Sequence, residues 1–176
     1  TQEPVSFPLS EPGPYFVGRR GQTIIDGSRS DRKIYITIWY PALKEKDDED
    51  RLYRVNAEPD LSEAPYPLIL TEMDSAKYIY RSHLASHGFV MVEINLSFYF
   101  DTWDLQTTDL PLDFLFTLNQ IASNPPTELE GVIDVTRTGV TGYSFGGQNS
   151  LALSGARIDP VYYLSYCEQI PTIQPP

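Results

Sequence analysis

The feature that most constrains the fold is an alternation of short apolar runs with helical patterns from residue 66 onward. Two apolar runs, residues 66–70 and 89–94, have the length and composition of strands covered on both faces, and residues 135–141 are predicted as a third strand. Three other segments have helical spacing or helix-ending residues: 76–87, 109–122 and 146–156. Strands that alternate with helices are joined by right-handed crossovers. The sequence therefore predicts an α/β fold with a mostly parallel sheet.

The N-terminal part of the chain has a different pattern, which is typical of antiparallel strands. Residues 1–14 contain four prolines, so we expect an extended lead-in. Residues 15–17 and 23–25 are short apolar runs that a glycine-rich turn separates. Residues 33–40 alternate, with their isoleucines on one face, and we expect Pro41 to end this strand. These segments predict an antiparallel hairpin before the parallel strands.

Charge limits the classes of partner. The chain has 24 acidic and 13 basic residues, a formal net charge of −11. Nucleic-acid binding needs a basic face, and no Lys/Arg run is longer than Arg19-Arg20, so nucleic acid and anionic membrane surfaces are poor partners. Five acidic residues lie within residues 45–50, which is either a cation site or a solvated loop. We interpret the segment 43–65 as an acidic loop.

Length and composition predict one globular domain covering residues 1–176. No apolar run approaches the ~18 residues of a membrane-spanning helix, so we expect no transmembrane segment. The first residues lack the features of a signal peptide, so an export signal either has been removed, as in a secreted protein, or never existed. The single cysteine, Cys167, cannot form an internal disulfide and leaves the redox compartment open.

Residues 142–147, Gly-Tyr-Ser-Phe-Gly-Gly, follow the third predicted parallel strand and open the third predicted helix. In this context G-x-S-x-G is a nucleophile elbow, a strained turn that lifts a serine hydroxyl out at the carboxyl end of the sheet. Ser144 is the candidate nucleophile, and we expect a Cβ at either flanking glycine to collide with a neighbouring element. The N–H of Phe145, at the helix N-terminus, is a candidate oxyanion donor. The alternative is a tight turn without chemistry.

Eight blocks of sequence carry a resemblance to a known family: residues 13–18, 32–42, 66–70, 84–90, 110–113, 131–134, 142–147 and 154–157. In this order they resemble α/β-hydrolases of the platelet-activating-factor acetylhydrolase and dienelactone-hydrolase type, relatives of cutinase-like polyester hydrolases. The resemblance implies an α/β-hydrolase fold and a serine esterase with a Ser–Asp–His triad and no metal or cofactor. It matches Ser144 to the nucleophile and implies a small-molecule ester or lipid-like substrate.

Two features depart from the family pattern. After the strand at 66–70 the family usually has Ser-His-Gly and then the second oxyanion donor, whereas this chain has residues Glu-Met-Asp at 72–74 and Ser75 at the donor position. Asp74 removes the freedom of a glycine and adds negative charge near a site that stabilises an oxyanion. The second departure is that no histidine follows Ser144, although the order in this fold is Ser, acid, His.

The titratable residues elsewhere do not replace the missing base. His83 and His87 precede the nucleophile, and we interpret both as structural, because a helical histidine pair without a third ligand is weak evidence of a metal site. Asp159 and Glu168 are interpreted as surface residues. A thiol nucleophile at Cys167 is not expected, because no histidine neighbours it in the sequence.

We therefore expect the N-terminal portion of an α/β-hydrolase that ends just past the nucleophile helix, with the rest of the domain beyond Pro176. The alternative is a non-catalytic hydrolase-like binding domain, which residues 72–74 and the missing base favour. Residues 98–104 are a lesser candidate for an acyl pocket and residues 162–166 for the start of a lid. Two expectations about the strand at 135–141 compete: a nucleophile strand is central in its sheet, but without further strands this one is an exposed edge.

Overall fold

The computed structural model describes residues 10–72, 78–95, 103–157 and 159–169. Within these residues the chain forms six strands: β1 (Phe16–Asp26), β2 (Arg32–Ala42), β3 (Arg54–Val55), β4 (Tyr66–Glu72), β5 (Val90–Ile94) and β6 (Ile133–Gly142). It also forms four α-helices: α1 (Tyr78–Ser86), α2 (Trp103–Ser123), α3 (Phe145–Leu153) and α4 (Pro160–Gln169). None of the helices described has the length and apolar character needed to cross a membrane.

All six strands belong to one mixed sheet with the order β3-β1-β2-β5-β4-β6. The strands β4, β5 and β6 are parallel, as the alternation of strands and helices predicts. The strand β2 runs antiparallel to both β1 and β5, so it joins the N-terminal hairpin to the parallel strands. The predicted α/β architecture with a mostly parallel sheet is therefore confirmed.

Helices cover the sheet on two sides and bury two apolar clusters. The isoleucines Ile34, Ile36 and Ile38 share one face of β2, as predicted, and pack in the larger cluster with Phe114 of α2. On the other face, Ala85 of α1 packs in a smaller cluster with buried side chains of β1, β2 and β5. Every residue of β5 is buried, so this strand is covered on both faces, as its apolar run predicts.

The hairpin differs from its prediction in two respects. The prediction of a turn between residues 17 and 23 is wrong. The strand β1 is continuous, because every residue from Phe16 to Asp26 pairs with β2. Pro41 does not end β2 either, since it pairs with Val17. Only residues 36–39 of β2 pair with β5, so the missing N–H of Pro41 costs no hydrogen bond to that strand.

Two further predictions need correction. Helix α2 begins at Trp103 rather than at Asp109, and it contains Pro111. Trp103 and Asp104 therefore belong to a helix and not to the loop predicted for an acyl pocket, whose residues 98–102 lie outside the described part of the chain.

The acidic segment is not exposed throughout. Asp48 is fully buried, and its carboxylate lies 2.6 Å from the Arg54 guanidinium. Glu45 pairs with the same guanidinium at 2.7 Å, so the acidic loop is fixed to the short strand β3. The alternative interpretation of this segment is a cation site. Among the residues that the structure describes, no group of three or more potential metal ligands lies together.

The strand β6 lies at the edge of the sheet. It pairs with β4 on one side, and no described strand pairs with its other side. Residues Thr136, Arg137 and Gly139 are exposed, and so is every side chain described in α4. The expectation of a central strand is wrong for this chain, and the expectation of an exposed edge is confirmed.

Candidate active site

Ser144 lies between β6 and α3 in a conformation that few residues adopt. Its backbone angles are φ 55° and ψ −116°, in a region disfavoured for residues with a Cβ. Such a conformation costs about 1–3 kcal/mol and persists where the surrounding structure enforces it. The side chain is exposed and does not form a capping hydrogen bond to α3. The turn therefore presents the hydroxyl at the carboxyl end of the parallel strands.

Two glycines make this turn possible by allowing close contacts. A Cβ on Gly142 would lie 2.2 Å from the backbone carbon of Gly146, in α3. A Cβ on Gly146 would lie 2.3 Å from the carbonyl oxygen of Glu72, in β4. These distances are too short for any side chain, so the predicted collisions with the neighbouring helix and strand are confirmed.

The N-terminus of α3 is directed at the same turn. The N–H groups of Gly147 and Gln148 donate to the carbonyl of Ser144 over 3.0 and 3.3 Å, so the helix begins immediately after the serine. Phe145 is its first residue, and its N–H lies at the positive end of the helix dipole. The second predicted donor, Ser75, lies outside the described residues.

The carboxyl group of Glu72, a residue that departs from the family's sequence pattern, lies beside the turn. Glu72 is the last residue of β4, pairs in register with Gly142 and is 2 % exposed. Its Oε2 would lie 2.4 Å from a Cβ on Gly146, so the carboxyl group packs against the first turn of α3. A negative charge here opposes the charge that an oxyanion develops. The apolar run of β4 ends at Leu70, whereas Thr71 and Glu72 are buried as well, so the sequence carried no local signal for the burial of Glu72.

Neither histidine approaches Ser144. His87 precedes the amino end of β5, whereas Ser144 follows the carboxyl end of β6, and these two strands run in the same direction through β4. The two imidazole rings contact each other with centroids 4.7 Å apart. The Nε2 atom of His87 lies 3.1 Å from the carbonyl oxygen of Glu11, in the lead-in. These contacts agree with the structural role that we predicted for both residues.

Asp159, an acidic residue that follows Ser144, is used as a helix cap. Asp159 is exposed and accepts hydrogen bonds from the N–H groups of Val161 and Tyr162, both over 3.0 Å, so it caps α4 as a surface residue. The side chain of Glu168 lies outside the described part of the structure. The described residues therefore supply the elbow and a helix N-terminus, but they place no histidine beside Ser144.

Comparison with known proteins assigns the family. A sequence family described as PETase: PET hydrolase-like matches residues 67–160, just over half of the chain. This chain belongs to the PET hydrolase-like family. The match begins in β4 and ends at the first residue of α4, so it includes the whole turn around Ser144. A comparison with curated proteins gave no match.

A solved structure supports the same fold for this PET hydrolase-like chain. The ferulic acid esterase from Streptomyces cinnamoneus superposes with a TM-score of 0.59 at 18 % sequence identity. The superposition covers 83 % of this chain and 57 % of that one. The predicted α/β-hydrolase fold, related to polyester hydrolases, is confirmed. The finer resemblance to acetylhydrolases and dienelactone hydrolases stays a prediction.

Proposed function

We propose that this chain carries the nucleophile of a serine ester hydrolase, and that the nucleophile is Ser144. One observation carries the proposal: an exposed serine hydroxyl, not used as a helix cap, sits at φ 55° between a parallel strand and a helix N-terminus. The family assignment supports ester chemistry, and so does the fold that the chain shares with a ferulic acid esterase.

The proposed reaction is an acyl transfer through Ser144. The Ser144 Oγ adds to the ester carbonyl, and the N–H of Phe145, with the N–H of Ser75 as the second donor, stabilises the oxyanion. Collapse of the tetrahedral intermediate expels the alcohol, which takes a proton, and leaves an acyl-serine that water hydrolyses to the acid. No metal or cofactor takes part in these steps.

A base must remove the proton from Ser144, and no histidine of the described residues lies in its vicinity. We propose that the histidine and the acid of the triad come from sequence beyond Pro176. The open edge of β6 supports this proposal, because a parallel strand normally has neighbours on both sides. The chain also spans only 57 % of the length of the ferulic acid esterase structure.

The substrate that we propose is a small or lipid-like carboxylic ester. The experiment treats the chain with a fluorophosphonate probe, with and without added imidazole, and locates the modified residue by peptide mass spectrometry. We expect slow modification of Ser144 that imidazole accelerates, because imidazole supplies the missing base. Ser144→Ala should abolish the signal, and Ser154→Ala, which changes an exposed serine at the end of the same helix, should retain it. Equal modification of several serines, or none, would contradict the proposal.

The second candidate function is a non-catalytic hydrolase-like binding domain. The buried carboxyl group of Glu72 beside the turn favours it, since an ionised carboxylate at this position would oppose oxyanion formation. Saturable binding of an ester analogue without any modification of Ser144, even with imidazole present, would favour this second function over the first.

A further inference from the structure

A cleft of about 430 Å³ lies away from the turn that holds Ser144. Three segments form its walls: the lead-in with the start of β1, the last turns of α1, and the loop between β2 and β3. Its volume is within the range of small-molecule sites, about 300–1,000 Å³.

The topology separates this cleft from the candidate active site. It is lined by Phe16, which starts β1, and by His83, near the end of α1. The strand β1 runs antiparallel to β2, and β2 runs antiparallel to β5. The strands β1 and β5 therefore point in the same direction, and β1 starts at the amino ends of the parallel strands. Ser144 follows the carboxyl end of β6, at the opposite end of these strands. A ligand in the cleft is therefore not a substrate bound at Ser144.

Two cationic side chains line the cleft, those of Lys44 and Arg51. No carboxylate lines it among the residues that the structure describes, although the whole chain has 24 acidic and only 13 basic residues. Lys44 forms no ion pair with any residue that the structure describes. Arg51 has one long contact, 3.9 Å to Asp48, and Asp48 already pairs with Arg54 at 2.6 Å. Both cations therefore keep donors for a ligand.

The rest of the lining is mainly apolar. Pro12, Phe16 and Leu52 line the cleft, and Leu52, which is 65 % exposed, follows Arg51 in the sequence. An apolar wall next to two cations suits a ligand with an apolar body and an anionic head, and a guanidinium binds a carboxylate through two parallel hydrogen bonds.

Two of the segments that line the cleft, the lead-in and α1, are joined by hydrogen bonds. The Oγ of Ser86 accepts the N–H of Gly13 over 2.8 Å and donates to the carbonyl of His83 over 2.7 Å. The N–H of Tyr15 donates to the carbonyl of Ser86 over 3.1 Å. The lead-in is thus attached to α1, and the cleft needs little ordering before a ligand binds.

We propose that this cleft binds a small carboxylate with an aromatic or short alkyl body. Arg51 and Lys44 hold the carboxylate, and the body lies against Phe16 and Leu52. The binding does not require Ser144 or any hydrolysis, so it is independent of the proposed function.

The test is a titration of the chain with benzoate, benzyl alcohol and inorganic phosphate, followed by calorimetry and by amide chemical shifts. We expect saturable binding of benzoate, with shifts at the lining residues, and at least tenfold weaker binding of the other two. Arg51→Gln and Lys44→Gln should each weaken benzoate binding about three- to tenfold, since each removes a charged hydrogen bond. Both side chains are exposed, so circular dichroism should show an unchanged fold.

Lys46→Gln is the matched control, because Lys46 is an exposed lysine of the same loop that does not line the cleft. Its benzoate affinity should stay unchanged. The proposal is overturned if benzyl alcohol or phosphate binds as well as benzoate. It is also overturned if Lys46→Gln weakens binding as much as the two cleft variants, or if benzoate binding does not saturate.

Discussion

At the scale of single residues, the most informative positions are the two glycines that flank Ser144. A sequence pattern predicts that they lie close to other backbone, and the structure shows which backbone each one meets. A Cβ on Gly146 would lie 2.3 Å from the carbonyl oxygen of Glu72 in β4. A Cβ on the next residue, Gly147, would lie 3.5 Å from the carbonyl oxygen of Gly142, which is an ordinary van der Waals distance.

These contacts predict opposite results for two alanine substitutions. We expect Gly146→Ala to lower the free energy of unfolding by about 1–3 kcal/mol, because β4 or α3 must move to admit the methyl group. Gly147→Ala should leave stability unchanged or raise it by up to about 1 kcal/mol, since alanine favours the helix. Urea denaturation measures both. A loss for Gly147→Ala as large as that for Gly146→Ala would show that the close contact is not the cause.

Glu72 gives a second prediction at this scale. If its carboxyl group only opposes the oxyanion, Glu72→Gln should speed the imidazole-assisted reaction of Ser144 with the fluorophosphonate by about threefold or more. The rate of modification measures this effect, and Glu130→Gln, an exposed glutamate away from the turn, should not change it. A slower reaction in Glu72→Gln would instead indicate that the carboxyl group assists the serine.

At the scale of elements, a cluster of ion pairs connects the β1–β2 hairpin to α2. Asp113 is fully buried, and its carboxylate accepts two hydrogen bonds of 2.8 Å from Arg32 and lies 2.6 Å from a guanidinium nitrogen of Arg29. Arg29 also pairs with Asp26 at 2.6 Å, and hydrogen bonds from Ser28 and Arg29 lower the pKa of Asp26. The cluster joins the β1–β2 turn to the middle of the helix.

We expect Asp113→Asn to lower the free energy of unfolding by about 3 kcal/mol, because it removes the nearest carboxylate of Arg32 and one of the two carboxylates that lie 2.6 Å from Arg29. Asp109→Asn changes the same helix, but its carboxylate contacts the two arginines only over 3.9 and 3.3 Å and is partly exposed. Its loss should be clearly smaller. Equal losses in urea denaturation would mean that the buried pairing of Asp113 is not decisive.

The sequence predicts some elements better than others for physical reasons. The strands β4 and β5 are local apolar runs and the turn at Ser144 is a local pattern of glycines, so they are visible without the fold. The extent of β1 is not, since its pairing with β2 overrides the local signal of a glycine-rich turn. The burial of Asp48 by Arg54 and the position of Glu72 beside Gly146 likewise depend on contacts between separate segments.

At the scale of the whole molecule, the described structure leaves one edge of the sheet unpaired. The edge of β6 is open, and α4 exposes Val161, Tyr162 and Leu164 by 62–77 %. An open strand edge and exposed apolar side chains each favour association between chains.

We therefore expect the 176-residue chain to associate as its concentration rises and to unfold at low denaturant concentration. Light scattering after size exclusion measures the first property and urea denaturation the second. Leu164→Lys should reduce the association without lowering stability, because the side chain it replaces is exposed. A stable monomer at all concentrations would show that the open edge is not a liability.

We propose that the chain presents a serine nucleophile without the base that activates it. The most direct measurement is the hydrolysis of a short-chain aryl ester by the purified chain and by its Ser144→Ala variant, with the mass of the intact protein followed in parallel. We predict slow acylation of Ser144, faster with imidazole and absent from the variant, and little turnover without imidazole. Rapid turnover that depends on Ser144, from a monomer that melts cooperatively, would contradict the claim.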